Sequence, residues 1–264
     1  MPEVRPRARR GAYSMRYLGD LTTHLVGRAL ARRHRRSLFG WAWSLALPVA
    51  QLAIFSLVFN KILPLNVPHY AAFLFIGITT WTWFSTSTTL AVGSLEGNRT
   101  LVLRPRFPAA VLPVTAVLTG LVDYLFALPV MLVILALQVG LSWSVVALVP
   151  LAAVQLLLCL TVAWVVAPLN VFFRDVQHAV TIALLLGFYL TPVFYEPGAA
   201  PSSLSWIYTY NPMARLIEAE RTILLDKTWP QAAPLVVLTL VLLAAAAAAF
   251  AAFRRVQHRL PDEL

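Results

Sequence analysis

Residues 145–191 read VVALVPLAAVQLLLCLTVAWVVAPLNVFFRDVQHAVTIALLLGFYLT, two apolar runs separated by the adjacent charges Arg174 and Asp175. The first run is long enough to cross a bilayer, because a helix of about 20 apolar residues spans the roughly 30 Å of hydrocarbon. The second run is shorter and ends just before Pro192. Between them, water and lipid headgroups would solvate the two charges. The stretch therefore predicts two membrane helices joined by a short, exposed turn.

The whole chain has the composition of a membrane protein. Of its 264 residues, 59% are hydrophobic and 12% are charged, and the mean hydropathy is +0.75. Soluble domains are roughly 45–50% apolar and about 25% charged. The single cysteine, Cys159, excludes a disulfide framework within the chain. We therefore expect an integral membrane protein rather than a soluble enzyme.

Six stretches are predicted to span the bilayer as helices: residues 39–60, 70–92, 109–138, 145–166, 176–191 and 232–253. Pro48 interrupts the first, which is tolerated where neighbouring helices cover the freed carbonyl group. Residues 1–37 are predicted to form a basic cytoplasmic arm and an amphipathic helix in the headgroup layer, because Leu18, Leu21 and Leu25 fall on one stripe. The predicted fold class is all-α integral membrane, with residues 38–264 as one six-helix transmembrane domain.

Lysine and arginine residues are distributed unevenly between the two sides of these spans. Ten arginines precede the first span, three lie in the loop 93–108, Arg174 follows the fourth span, and three follow the sixth. The opposite side carries only Lys61, Arg215, Arg221 and Lys227. Because cytoplasmic loops are enriched in basic residues, both termini are predicted to be cytoplasmic. The formal charge of +10 then reflects this topology and attraction to membrane lipids, and no nucleic-acid partner is expected.

The segment 192–230 does not fit an ordinary span. Three prolines within residues 192–201 prevent a continuous helix. Asn211 and Pro212 then provide an N-cap and a first-turn proline for a helix that is too short and too charged to cross the membrane. Trp206 and Tyr210 are typical of the outer membrane interface. We predict a broken, re-entrant element at the outer mouth of a pathway, with an extracellular loop and surface helix as the alternative.

The motifs of several enzyme classes are absent from the sequence. There is no G-x-x-x-x-G-K-[ST] loop, so no phosphate-cradling ATPase site is expected in this chain. No H-E-x-x-H, C-x-x-C or G-x-S-x-G motif occurs, so no catalytic or metal-binding residues are expected. Asp123 is the one acid deep in a predicted span, where it is expected to face a neighbouring helix or a wet cavity. A membrane-embedded enzyme would need several convergent acids or metal ligands, and Asp123 stands alone.

Four motifs, in order along the chain, resemble those of a known family. They are RRSLFGWAWSLALP at residues 35–48, NVFFRDV at 170–176, TPVFY at 191–195 and NPMARLIEAER at 211–221. The chain resembles the membrane permease of type 2 ABC exporters, in the branch that exports O-antigen, teichoic acid, capsule and related polysaccharides. The resemblance extends from about Ser14 to Arg259. The alternative is a permease of the same class that exports a small lipid or drug. The two alternatives differ only in their cargo.

This resemblance implies a bacterial inner-membrane exporter with partners. Two copies would form a homodimer that binds two copies of a separate ABC ATPase subunit and encloses a conduit for a lipid-linked polysaccharide. No cofactor is expected in this chain, because ATP and magnesium would bind in the partner subunit.

The resemblance also implies roles for particular residues. A coupling helix at about Ser94–Leu103 and the turn after the fourth span would contact the ATPase through Ser94, Leu95, Glu96, Asn98, Arg99, Leu101, Arg174 and Asp175. Short helices within 192–225 would gate the outer end through Pro192, Tyr195, Trp206, Tyr210, Asn211, Pro212 and Glu218. Candidate residues lining the conduit are Trp43, Phe55, Phe59, Trp83, Asp123 and Tyr124.

Overall fold

The computed structural model describes residues 14–34, 42–59, 67–196 and 205–264, which fold into helices without any strand. The helices are α1 (Met15–His34), α2 (Ala42–Leu57), α3 (Tyr70–Val92), α4 (Arg99–Val102), α5 (Val111–Gln138), α6 (Leu148–Phe172), α7 (Val176–Leu190), α8 (Ser205–Tyr210), α9 (Pro212–Leu224), α10 (Ala232–Val256) and α11 (Leu260–Glu263). Short 3₁₀ turns, Glu96–Asn98 and Trp143–Ala147, precede α4 and α6.

Helix α3 is the centre of the bundle. It packs against α2, α5, α6, α7 and α9, and its run Leu74–Ile76 is completely buried. Several of its buried hydroxyl groups donate to carbonyl oxygens one turn back, as Thr79 does to Phe75 at 2.8 Å. These internal bonds satisfy the hydroxyl groups and allow a helix with many polar residues to be buried.

Three of the described helical stretches are long and apolar enough to cross a membrane: Val111–Gln138, Trp143–Phe172 and Ala232–Val256. The α3 bounds coincide with the predicted span 70–92. Helices α2 and α7 are shorter, with 16 and 15 residues. The helical stretch Trp143–Phe172 contains the predicted span 145–166 and continues past it through Pro168.

The two ends of the bundle are built from different connections. One end joins α3 to α5 and α6 to α7, and includes α1 and the C-terminal end of α10. Here Leu25 of α1 is buried, and Leu18 and Leu21 pack against the same apolar cluster. We call this end the basal end. The opposite end joins α5 to α6 and carries α8 and α9 between α7 and α10, and we call it the gate end.

Candidate functional site

Helix α9 is fixed at its start by Asn211. The Asn211 Oδ1 atom accepts hydrogen bonds from the backbone N–H groups of Met213, at 2.9 Å, and Ala214, at 3.4 Å. Pro212 occupies the first turn, where its missing N–H group is not needed. The Asn211 Nδ2 atom donates to Thr191 Oγ1 at 2.8 Å. One side chain therefore caps α9 and ties its start to the end of α7.

Near the end of α9, Arg221 is a buried cation that joins three elements. Its Nε and Nη2 atoms donate to the Phe73 carbonyl oxygen at 3.2 and 3.1 Å. Its Nη1 donates to the Pro192 carbonyl at 2.7 Å, and its Nη2 donates to the Val193 carbonyl at 2.6 Å. The guanidinium carbon lies 3.4 Å from the centre of the Phe73 ring, a cation–π contact. Arg221 therefore holds α9, the first turn of α3 and the turn after α7 together.

Space for this guanidinium depends on Gly77. A Cβ atom at that position would lie 2.6 Å from the Val193 carbonyl oxygen and 2.8 Å from Arg221 Nη2. Both distances are shorter than van der Waals contact allows. The α3 backbone can approach the turn after α7 this closely only because residue 77 has no side chain.

Glu220 is the second buried charge-bearing residue of α9, with 1% of its side chain exposed. Its Oε2 accepts a hydrogen bond from Thr80 Oγ1 at 2.5 Å. Gln155 of α6 donates to the Thr80 carbonyl oxygen at 2.8 Å. Burial raises the pKa of Glu220 from 4.5 to about 7, although the Thr80 hydrogen bond and the Arg221 charge act in the opposite direction. Glu220 thus connects α9 to the middle of the bundle.

Glu220 and Arg221 are both buried, although charged side chains are usually exposed. Glu218, a predicted gate residue on the same helix, is exposed. The spacing of residues along the helix already indicates that both charges are buried. Residues 213, 217, 220, 221 and 224 recur at intervals of three and four, so the two charges lie on the apolar stripe.

The other predicted gate residues occupy the same end of the molecule. The Tyr195 hydroxyl group lies 3.3 Å from that of Tyr208 on α8 and donates to the Tyr189 carbonyl at 3.2 Å. The Trp206 and Tyr210 side chains are 59% and 81% exposed. Asn211, Pro212 and Pro192 take part in the contacts described above. The predicted gate residues therefore lie around α8, α9 and the turn after α7.

Of the six candidate conduit residues, three come together inside the helical bundle. The Trp83 and Tyr124 rings stack with centroids 4.8 Å apart. Together with Asp123 they line a cavity of about 10 Å³, the size of a single water molecule. All three are buried. The backbone of Trp43 belongs to α2, and its side chain lies outside the described residues.

Phe55 and Phe59 belong to a separate aromatic cluster at the gate end. Their rings stack at 6.0 Å, and Phe194 stacks on them at 5.4 and 5.9 Å. Phe194 follows directly on Val193, whose carbonyl group binds Arg221. The Phe194 carbonyl oxygen accepts a hydrogen bond from the Tyr70 hydroxyl group at 3.0 Å. Two of the candidate conduit residues therefore contact the segment that Arg221 holds.

At the basal end, the predicted coupling segment forms two short helical turns. Leu95 and Val102 are buried in the apolar cluster that includes Leu25 and Phe253. Asn98 Nδ2 donates to the Ser94 carbonyl at 2.9 Å. The outward-facing side chains are exposed: Glu96, Arg99 and Thr100. The segment is thus anchored on one side and presents a small polar surface on the other.

Arg174 and Asp175 form the turn between α6 and α7, and both side chains are exposed. Asp175 is the N-cap residue of α7, without a capping hydrogen bond from its side chain. Among described residues, no hydrogen bond links this turn to residues 94–103. Both elements lie at the basal end. Their roles in contacting an ATPase stay a prediction.

The described part of the chain contains no group of three or more His, Cys, Asp or Glu side chains that could hold a metal ion. A buried cation locks α9 at one end of α3, and an anchored, partly exposed segment follows the other end.

These features describe a helical domain with membrane-spanning segments. The ABC-2 type transporter family model matches residues 20–225, and the chain belongs to this family. It is an integral membrane protein.

Curated relatives are similar over most of their length. The chain is 35% identical over 236 residues to the O-antigen export system permease protein RfbA of Myxococcus xanthus, covering 87% of this chain and 91% of that protein. It is 32% identical over 220 residues to an O-antigen export system permease protein RfbA of Klebsiella pneumoniae, covering 82% and 84%. A second Klebsiella pneumoniae protein of that name is 31% identical over 218 residues.

Proposed function

We propose that this chain is the permease subunit of an ATP-driven exporter that moves a lipid-linked cell-surface polysaccharide across the bacterial inner membrane. The names of its relatives support polysaccharide as the cargo class. Two copies form a homodimer, and each binds one copy of a separate ABC ATPase subunit that holds ATP and magnesium. Six spans cross the membrane, with both termini and the basal end in the cytoplasm.

One observation carries the mechanism: α3 connects the coupling segment directly to the Arg221 site. Helix α3 runs from Tyr70, beside Phe73, to Val92, and the coupling segment follows at Ser94. Its 23 residues make a rod of about 35 Å at 1.5 Å per residue. A displacement of the coupling segment by the ATPase therefore moves the Phe73 carbonyl group, to which Arg221 is bound. This linkage would open and close the gate end in step with ATP hydrolysis, provided that the nucleotide states contact the permease differently.

The conduit lies between the two copies rather than within one. The cavity at Trp83, Asp123 and Tyr124 has a volume of about 10 Å³, which is too small for a sugar. A hydrated glycan chain must therefore use a surface that one protomer presents to another. Phe55 and Phe59 are partly buried, and Trp206 and Tyr210 of α8 are exposed; these four side chains supply aromatic rings at the gate end of that route. Aromatic faces can stack on the apolar faces of sugars without fixing them in place.

ATP turnover by the reconstituted complex tests this function. The chain would be purified with its cognate ATPase and placed in lipid vesicles, and hydrolysis would be measured with lipid-linked polysaccharides, free lipids and amphipathic drugs. We expect stimulation by a lipid-linked polysaccharide. Stimulation by a small lipid or drug alone would instead assign the chain to the alternative cargo class.

A further inference from the structure

The basal end contains an open groove that the proposed mechanism does not use. Its volume is about 1750 Å³, larger than the roughly 300–1,000 Å³ of a pocket for a drug-sized molecule. It lies between α1, the loop 102–110, the start of α5, α6 and the end of α10. We call it the basal groove. None of the residues predicted to line the conduit contributes to it.

The wall of the basal groove is apolar. Leu18, Val114, Leu118 and Trp164 are only partly buried, and Phe250 is 36% exposed. The ring centroids of Trp164 and Phe250 lie 4.9 Å apart, so the two rings are in contact. A wall of this composition suits a hydrocarbon chain.

The rim of the groove is basic. Arg104, Arg106 and Arg254 line it, and no aspartate or glutamate is among its described lining residues. All three arginines are exposed, and none of them donates a side-chain hydrogen bond to a described residue. Arg106 has a φ of 66°, a left-handed conformation that disfavours residues other than glycine. The rim therefore presents three available cations beside an apolar wall.

We propose that the basal groove binds an anionic phospholipid of the cytoplasmic leaflet. The phosphate group lies at the three arginines, and an acyl chain lies along Trp164 and Phe250. Basic pockets between membrane helices on the cytoplasmic side suit anionic headgroups, and α1 adds a wall at headgroup depth. A bound lipid would brace α1 against α5 beside the coupling segment. The inference rests on the proposed topology but not on the proposed cargo.

Quenching of Trp164 fluorescence by brominated lipid tests this proposal on the full-length chain. The chain is reconstituted in phosphatidylcholine vesicles that contain a small fraction of brominated phosphatidylglycerol. The Trp164 signal is the difference between the wild type and a Trp164→Phe variant. We expect quenching well above that given by the same fraction of brominated phosphatidylcholine. Equal quenching by the two lipids would overturn the proposal.

Two matched triple variants distinguish a built site from general attraction. Each arginine close to an anionic lipid strengthens the binding of that lipid about fivefold. The triple variant with Arg104→Gln, Arg106→Gln and Arg254→Gln should therefore bind the anionic lipid about a hundredfold more weakly. Its excess quenching should disappear. The control variant, Arg32→Gln, Arg255→Gln and Arg259→Gln, makes the same change in charge at exposed positions outside the groove, and should retain the excess. An equal loss in both variants would contradict a site in the groove.

A third variant and a competitor complete the test. Val114→Phe places a larger side chain on the apolar wall and so reduces the space for an acyl chain in the groove. The three arginines stay intact, and the excess quenching should still decrease. Undecaprenyl phosphate should displace the brominated lipid no better than unlabelled phosphatidylglycerol does. If undecaprenyl phosphate displaced the brominated lipid completely at a much lower fraction than phosphatidylglycerol needs, the groove would be a cargo site. That result would reject a resident phospholipid. ATP turnover can succeed or fail independently of these results, so the two proposals are tested separately.

Discussion

Replacing Arg221 by glutamine should detach α9 from the bundle. The wild-type guanidinium group makes four N–H···O contacts with the carbonyl groups of Phe73, Pro192 and Val193. Hydrogen bonds to a charged group contribute about 1.5–3 kcal/mol each, but contacts of one side chain are not additive. Removing one member of a buried charged network lowers the free energy of unfolding of a protein by about 3–5 kcal/mol. We expect a loss in the free energy of unfolding within that range.

The loss is measured as a thermal transition of the purified protein in detergent. A change of 1 kcal/mol shifts the midpoint by about 2–4 °C in chains of 150–250 residues, so the expected decrease is about 6–20 °C. Arg221→Lys retains the charge but cannot reach three carbonyl groups with one ammonium group, and should melt between the wild type and Arg221→Gln.

The matched control is Arg215→Gln on the same helix. Arg215 is partly exposed, and its Nε donates a hydrogen bond to the Thr209 carbonyl oxygen at 3.4 Å. We expect its effect to stay within about 0.5 kcal/mol. If Arg221→Gln melted at the same temperature as Arg215→Gln, the buried arginine would not hold the gate end together, and this reasoning would fail.

Three further results follow from the same structure. Gly77→Ala should lower the thermal midpoint, because its Cβ would meet the Val193 backbone. Gly27→Ala has open space around it and should raise the midpoint, because alanine favours the helix by up to about 1 kcal/mol over glycine. A rise in both variants would contradict the tight approach at Gly77. Because the folded state holds the Glu220 proton up to about pH 7 and the unfolded state only to about 4.5, stability should fall as pH rises between these values. Glu220→Gln should remove this slope in thermal midpoints measured across that range, and a persistent slope would assign it to another group. Arg174→Ala should leave membrane insertion and abundance unchanged but lower export and its coupling to ATP hydrolysis; wild-type export would reject a coupling role.

Local patterns in the sequence were sufficient to predict much of the helical organisation. The bounds of α3 coincide with the predicted span 70–92, since apolar composition and flanking breaks both mark them. The start of α9 follows from Asn211 and Pro212, because capping depends only on neighbouring residues.

The contacts of the gate end could not be predicted in the same way. Arg221 finds its partners at Phe73 and Val193, 148 and 28 residues away in the sequence. Glu220 bonds to Thr80, which is 140 residues away. The spacing shows that these charges lie on an apolar stripe, but only the positions of α3 and of the turn after α7 show which groups compensate them. The same holds for Trp83 and Tyr124, whose stacking requires the α3–α5 contact.

Translocation in sealed vesicles tests the central claim most directly. The permease and its cognate ATPase would be reconstituted with a lipid-linked polysaccharide on the ATPase side, and glycan reaching the other side would be measured with a membrane-impermeant lectin. Our account predicts ATP-dependent transfer that requires both subunits. No transfer by an intact, ATP-hydrolysing complex, or equal transfer without the ATPase, would contradict it.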